Sequence, residues 1–119
     1  MADPTFDLYV AKKMSSKASN AKDRGIEFNL TFASMRNLLS AKKCYYTGLP
    51  MTKPTGVKQV GSDLTIDRID ASKGYIKGNV VACCYAANQL KSQVEAAGLE
   101  GIKMGARVFN RTIKRMEAK

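Results

Sequence analysis

Carboxylates, amides and cationic side chains stand at fixed separations in D-R-I-D-A-S-K-G-Y-I-K-G-N-V-V-A-C-C-Y-A-A-N-Q-L-K, the stretch from Asp67 to Lys91. Asp67 lies near the end of one expected strand, Asn79 opens a second, and Asn88 sits in the helix that follows. Carboxylate and amide oxygens are the donors a hard divalent cation takes, and Arg68, Lys73, Lys77 and Lys91 offer charge to phosphate oxygens. The spacing suggests a metal-bound phosphodiester cleft. Histidine is absent from all 119 residues, which removes the commonest general base near neutral pH and the commonest transition-metal ligand. Chemistry here must rest on carboxylates, amides, Tyr, Lys, Arg or Cys.

Several elements must position these groups. Phe6, Val10, Met14, Ala18 and Ala21 recur every three or four residues, which predicts an amphipathic helix ended by Gly25. Thr31 is suited to cap a second helix with an inward stripe of Phe32, Met35, Leu38 and Leu39, ending near Lys42. C-Y-Y-T-G-L-P-M reads as a tight turn, and residues 52–62 as a mobile polar loop. Leu64 to Ile69 alternates and suits a strand, Ser72 to Gly78 a loop, and Asn79 to Ala82 a second strand, so a hairpin is expected. Tyr85 to Ala96 is rich in helix formers and stops at Gly98. The last segment carries Ile102, Ala106, Phe109, Ile113 and Met116 on one helical face, expected to dock, and Lys103, Arg107, Arg111 and Lys114 on another.

Length and charge bound the rest. A chain of 119 residues suits one domain, 1–119, with its core at about 44–96 and basic helical flanks at 5–43 and 99–119. Lys and Arg number 20 against 10 Asp and Glu, a net charge of +10, so a polyanion is the expected partner. The excess sits on both flanks: the first 43 residues and the segment after Leu99 each carry +4. No apolar run approaches the roughly 20 residues that span a bilayer, and M-A-D-P-T-F-D has neither the basic nor the apolar region of a signal peptide. Cytoplasmic location and no membrane partner are expected. Three cysteines, two of them adjacent, make a poor disulfide framework, so reduced thiols are the better reading. No phosphate-binding glycine loop, dinucleotide fingerprint or Ser-His-Asp set occurs, which leaves nucleotide hydrolysis and acyl transfer unsupported.

The stretch from Cys44 to Lys91 resembles the ββα-metal core of HNH endonucleases. Asp67 stands at that family's strand-end Asp, Arg68 at its His, Asn79 at its middle Asn and Asn88 at its helix position, with Lys91 three residues on. R-G-I-E-F-N-L, C-Y-Y-T-G-L-P, D-R-I-D and G-Y are similar to forms in phage-borne members, which would place the protein in a host cytoplasm. The resemblance implies an α+β fold in which a ββα hairpin-helix core is flanked by N- and C-terminal helices. It implies a DNA endonuclease, nicking or cutting duplex DNA with Mg²⁺ or Mn²⁺ held by Asp67 and Asn88. Asp67, Arg68, Asp70, Asn79 and Asn88 then form the catalytic set. Arg68, Lys73, Lys77, Lys91, Lys103, Arg107, Arg111 and Lys114 would contact nucleic acid.

Two positions depart from the family. A guanidinium stays protonated at any working pH, so Arg68 cannot act as base, although it can clamp a phosphate. Asp70 is the first candidate to replace it and Tyr75 the second; loss of a general base typically removes about 10² to 10⁴ in rate. The family's two C-x-x-C zinc pairs read Cys44, Thr47 and Cys84, Ala87, so no zinc is expected, and Cys44 and Cys84 should lie close together as buried thiols. Taken singly, each site residue has a plainer role. Asp67 and Asp70 can accept loop N–H bonds, Asn79 can serve a turn, Asn88 and Lys91 can be solvated, and the tyrosines can be packing. Their joint register favours the HNH-like fold. The alternatives are an HNH-fold module that binds nucleic acid without cutting it, and one that uses its basic surface to hold an acidic protein.

Overall fold

The structure, a computed structural model, describes residues 4–118. Met1, Ala2 and Asp3 of the sequence read for a signal peptide, and Lys119 of the basic flank, lie outside the described residues. In order the elements are α1 (Pro4–Asp23), α2 (Phe32–Leu39), β1 (Leu64–Arg68), β2 (Val80–Cys84), α3 (Tyr85–Glu95) and α4 (Gly98–Glu117). The fold is α+β, with an antiparallel β1–β2 hairpin running directly into α3, the ββα order expected from the sequence. No described helix is long and apolar enough to cross a membrane.

Local chemistry sets most boundaries. α1 ends before Gly25, whose φ of 68° suits a residue without a Cβ. α2 opens on a reciprocal cap: the Thr31 hydroxyl accepts from the Ser34 amide at 3.1 Å and the Ser34 hydroxyl from the Thr31 amide at 2.9 Å. That helix stops at Leu39 rather than near Lys42, with Ser40 as its C-cap, whose amide and hydroxyl both donate to the Arg36 carbonyl. Val10 and Ala21 of α1, Met35 and Leu39 of α2, Leu64 and Ile66 of β1, Ala82 of β2 and Tyr75 form the main core. The stripes expected for α1 and α2 therefore face inward, with Phe6, Met14 and Leu38 at the margin and Phe32 left 40% exposed.

Two expectations are corrected. The polar loop 52–62 is tied at its ends by a buried carboxylate: Asp63 accepts the Thr52 hydroxyl at 2.7 Å and the Val60 amide at 3.0 Å. An acid that folds its own loop has no periodic signature. The second correction concerns α4, whose apolar face was expected to dock. It meets α3 at Gly101 and Gly105, where a Cβ on Gly101 would strike the Val94 carbonyl. Beyond Gly105 every described residue of the helix is exposed. The molecule is elongated in consequence, 54 × 31 × 25 Å.

Candidate functional site

The register Thr65↔Cys83, Ile66↔Ala82, Asp67↔Val81 and Arg68↔Val80 gives the hairpin two different faces. Ile66 points to the core, where Arg68 lies over the Tyr75 ring at 5.3 Å. Thr65 and Asp67 point the other way, toward α3. There Asn88 donates to the Thr65 hydroxyl at 3.2 Å, and one turn on, the Lys91 ammonium reaches Asp67 Oδ2 at 3.1 Å. Asn88 and Asp67 thus share one face of the motif, in adjacent rows, with Lys91 directly opposite the carboxylate.

Asp67 is buried, and one further side chain reaches its carboxylate. The Tyr46 hydroxyl donates to the same Oδ2 at 2.7 Å. Lys91 also pairs with Glu95 at 2.5 Å and donates to the Arg68 carbonyl at 2.9 Å. Burial and then the bond to Asp67 push the Tyr46 phenol well above its ordinary range, so it remains a protonated donor. Burial alone would lower the Lys91 pKa, but the bonds to Glu95 and Asp67 outweigh it and raise it, so the ammonium stays charged. Sequence reasoning did not assign Tyr46 or Glu95 to the site. Glu95 had a signal, lying four residues after Lys91 on one helical face. Tyr46 had none, since it arrives from a turn 21 residues before its partner.

Asn79 is buried and spends its amide on the loop between the strands. Its oxygen accepts the Asp70 amide at 2.9 Å, and its nitrogen donates to the carbonyls of Asp70 at 3.1 Å and Gly74 at 2.9 Å. The residue braces the loop. Asp70 turns its carboxylate onto Ser72, accepting the hydroxyl at 2.6 Å and the amide at 2.9 Å. Those bonds hold its pKa below the ordinary carboxylate value, which weakens it as a proton acceptor. Gly74 is required where the loop meets the N-terminal region, because a Cβ there would lie 2.5 Å from the Glu27 carbonyl oxygen. Tyr75, the second base candidate, is buried and packs on Phe28.

Arg68 donates Nη1 to the carbonyls of Ala71 and Lys73, each at 3.0 Å. Beside it opens a cavity of about 440 Å³ lined by Arg24, Glu27, Arg68 and Lys73 among others. Lys17 of α1 adjoins this group: burial first, then the charges of Arg24 and Arg68, lower its pKa. Lys17 and Arg24 were not among the expected nucleic-acid contacts. Lys73, Lys77, Lys103, Arg107, Arg111 and Lys114 are exposed, whereas Lys91 is turned inward onto Asp67.

At the opposite end of the hairpin Cys44, Cys83 and Cys84 are buried in one cluster with Met51 and Ala87, bringing Cys44 and Cys84 together as expected. Burial opposes ionisation of Cys44, but bonds from the Thr47 hydroxyl and the backbone of Cys84, Thr47 and Tyr46 outweigh it and bring its pKa to about 7. Cys83 is pushed up to about 11, chiefly by burial. Among the described residues no three His, Cys, Asp or Glu side chains converge as a metal cluster. A hard cation is different, because the Asp67 and Asn88 oxygens need be only two of its ligands, with waters and phosphate supplying the rest. The bonds to Asp67 use Oδ2, and Asn88 donates through its nitrogen, so the residue types left to such an ion are a carboxylate oxygen and an amide oxygen.

No protein-family model matches the sequence. The chain is similar to an uncharacterised 29.0 kDa protein of the dda–modA intergenic region of Enterobacteria phage T4, 34% identical over 83 residues. That match takes in 70% of this chain and 32% of the relative, so the chain spans about a third of the phage protein's length. Among solved structures the fold is similar to that of the rare-cutting HNH restriction endonuclease PacI, with a TM-score of 0.57 at 20% identity over 92% of this chain and 82% of that one. The ββα class inferred from the Asp67–Lys91 register is therefore the class of the folded molecule.

Proposed function

We propose that the chain is a DNA endonuclease of the HNH type, which hydrolyses phosphodiester bonds with Mg²⁺ or Mn²⁺. One observation supports the reading: α3 packs across β1 so that Lys91 meets Asp67 and Asn88 meets Thr65, which sets Asp67 and Asn88, distant in sequence, in adjacent rows of one face. A cation bound there supplies electrostatic stabilisation to the phosphate and to the departing 3′-oxygen. Asp67 and Asn88 would hold it, and Tyr46 fixes the carboxylate's direction. Lys91 lies where its ammonium can either neutralise Asp67 or turn toward a phosphate. Across the strand, Arg68 and its cationic neighbours Lys17, Arg24 and Lys73 suit the DNA backbone. Arg68 binds rather than abstracts a proton, and Asp70, bonded to Ser72, is a weak base, so slow cleavage is expected. Plasmid nicking with Mg²⁺ or Mn²⁺ tests this reading: Asp67→Ala and Asn88→Ala should each lower it strongly, and unchanged activity in both overturns the site.

A second reading is favoured by the Lys91 ammonium, which already neutralises Asp67 and competes with a metal ion. On it, the chain binds duplex DNA through its basic surface without cutting. Salt-sensitive binding with no nicking in either metal would select it.

A further inference from the structure

The distal half of α4 poses a physical problem. Residues 106–118 are exposed on every side, and a helix of that length is marginal in water unless an apolar face is covered. Leu99, Ile102, Ala106, Phe109, Ile113 and Met116 follow one another at spacings of three and four, the pattern of a coiled-coil seam. Along it Phe109 is 46% exposed, Ile113 50% and Met116 76%. Arg107, Arg111, Lys114 and Arg115 all fall on the far side of the helix, so the seam is free of like charge although the helix is strongly basic.

The residues flanking the seam decide what covers it. On one flank lie Lys103, Asn110 and Glu117, each seven residues from the next; on the other, Gly105 and Thr112 are small and uncharged. A second α4 running antiparallel, with a two-fold axis at Asn110, sets Lys103 against Glu117 of the other copy and Asn110 against itself. The core layers are then Phe109 on Ile113 and Ala106 on Met116, a small residue facing a long one. A parallel pair sets Gly105 near Asn110 and Thr112 near Glu117, which matches no charges.

We propose that α4 is the homodimerisation element of this protein, pairing antiparallel with a second copy through Ala106, Phe109, Ile113 and Met116. The overlap of residues 103–117 is about 22 Å long at 1.5 Å per residue. So short a seam gives a small interface and a concentration-dependent dimer. The four basic residues opposite the seam remain outward on both copies, extending one positive surface across the dimer. The inference uses no property of the Asp67 face, and failure of cleavage leaves it intact.

Sedimentation of the full chain over roughly 1 to 100 μM should show the mass double with concentration. Phe109→Glu, at a site exposed in the single chain, should hold it monomeric while circular dichroism shows the ββα body still folded. Joining cysteines by a short bis-maleimide distinguishes the geometry: Asn110→Cys should give a covalent dimer and Arg111→Cys, on the outer side, should not. A wild-type chain that stays monomeric throughout overturns the proposal and leaves the face to a different partner. So does a dimer indifferent to Phe109→Glu, or equal cross-linking at both cysteines.

Discussion

The two faces of one short strand differ in sign. On the α3 side of β1, Asp67 gathers a phenol and an ammonium around a buried carboxylate. On the Tyr75 side, Arg68 stands beside Arg24, Lys17 and Lys73 with Glu27 as the nearby acid. Adjacent residues achieve this because strand side chains alternate, so one step along the backbone moves from a place suited to a cation to a place suited to an anion. On the proposed reading a phosphodiester would use both. Its oxygens seek positive charge along the backbone, and the breaking bond seeks a metal held by oxygens.

Breaking the pair of faces in turn should separate their roles. Asp67→Ala is the largest expected effect: metal-dependent nicking should fall by 10²-fold or more, on the order of the loss of a metal's charge stabilisation, while DNA binding persists in a gel-shift assay. Lys91→Met should leave Asp67 buried with Tyr46 alone and lower stability by about 3 kcal/mol in urea unfolding. Added Mg²⁺ should recover part of that loss, and a variant as stable as wild type would show that the ion pair contributes nothing. Asn79→Ala removes the brace of the loop that holds Asp70 and Gly74, and should cost about 1–3 kcal/mol by thermal melting. Arg24→Ala should weaken DNA binding across sequences and reduce the salt slope by about 1, without altering the metal requirement.

The smallest effect concerns acid. The Asp70 carboxyl is held below its ordinary value of 3.8 by Ser72, so its contribution to loop stability is present above that pH and lost as pH falls through the lower folded value. Ser72→Ala should move the acid unfolding limb to slightly higher pH, and identical limbs would show that the bond to Ser72 has no effect on stability.

The hairpin and α3 were legible because local signals agreed: alternation in Leu64–Arg68, turn chemistry in the loop, and helix formers after Cys84. The closeness of Cys44 and Cys84 as buried thiols followed from register. Asn79 stood in the expected place, yet what its amide grips is a matter of loop path. Tyr46, Lys17, Arg24 and Asp63 were not assigned roles, since each acts on a partner from another part of the chain. The error over α4 has a different cause. Periodicity identifies an apolar face and says nothing about whether the same chain supplies its cover.

Spacing along the chain determined the fold class, because a hairpin of fixed length and a helix that follows at once leave little freedom in where Asp67, Asn79 and Asn88 can go. Tertiary structure decided the rest: which groups close on Asp67, which cations collect around Arg68, and that α4 leaves the body after Gly105. Those outcomes depend on contacts between segments remote in sequence, and on burial that a local pattern does not encode.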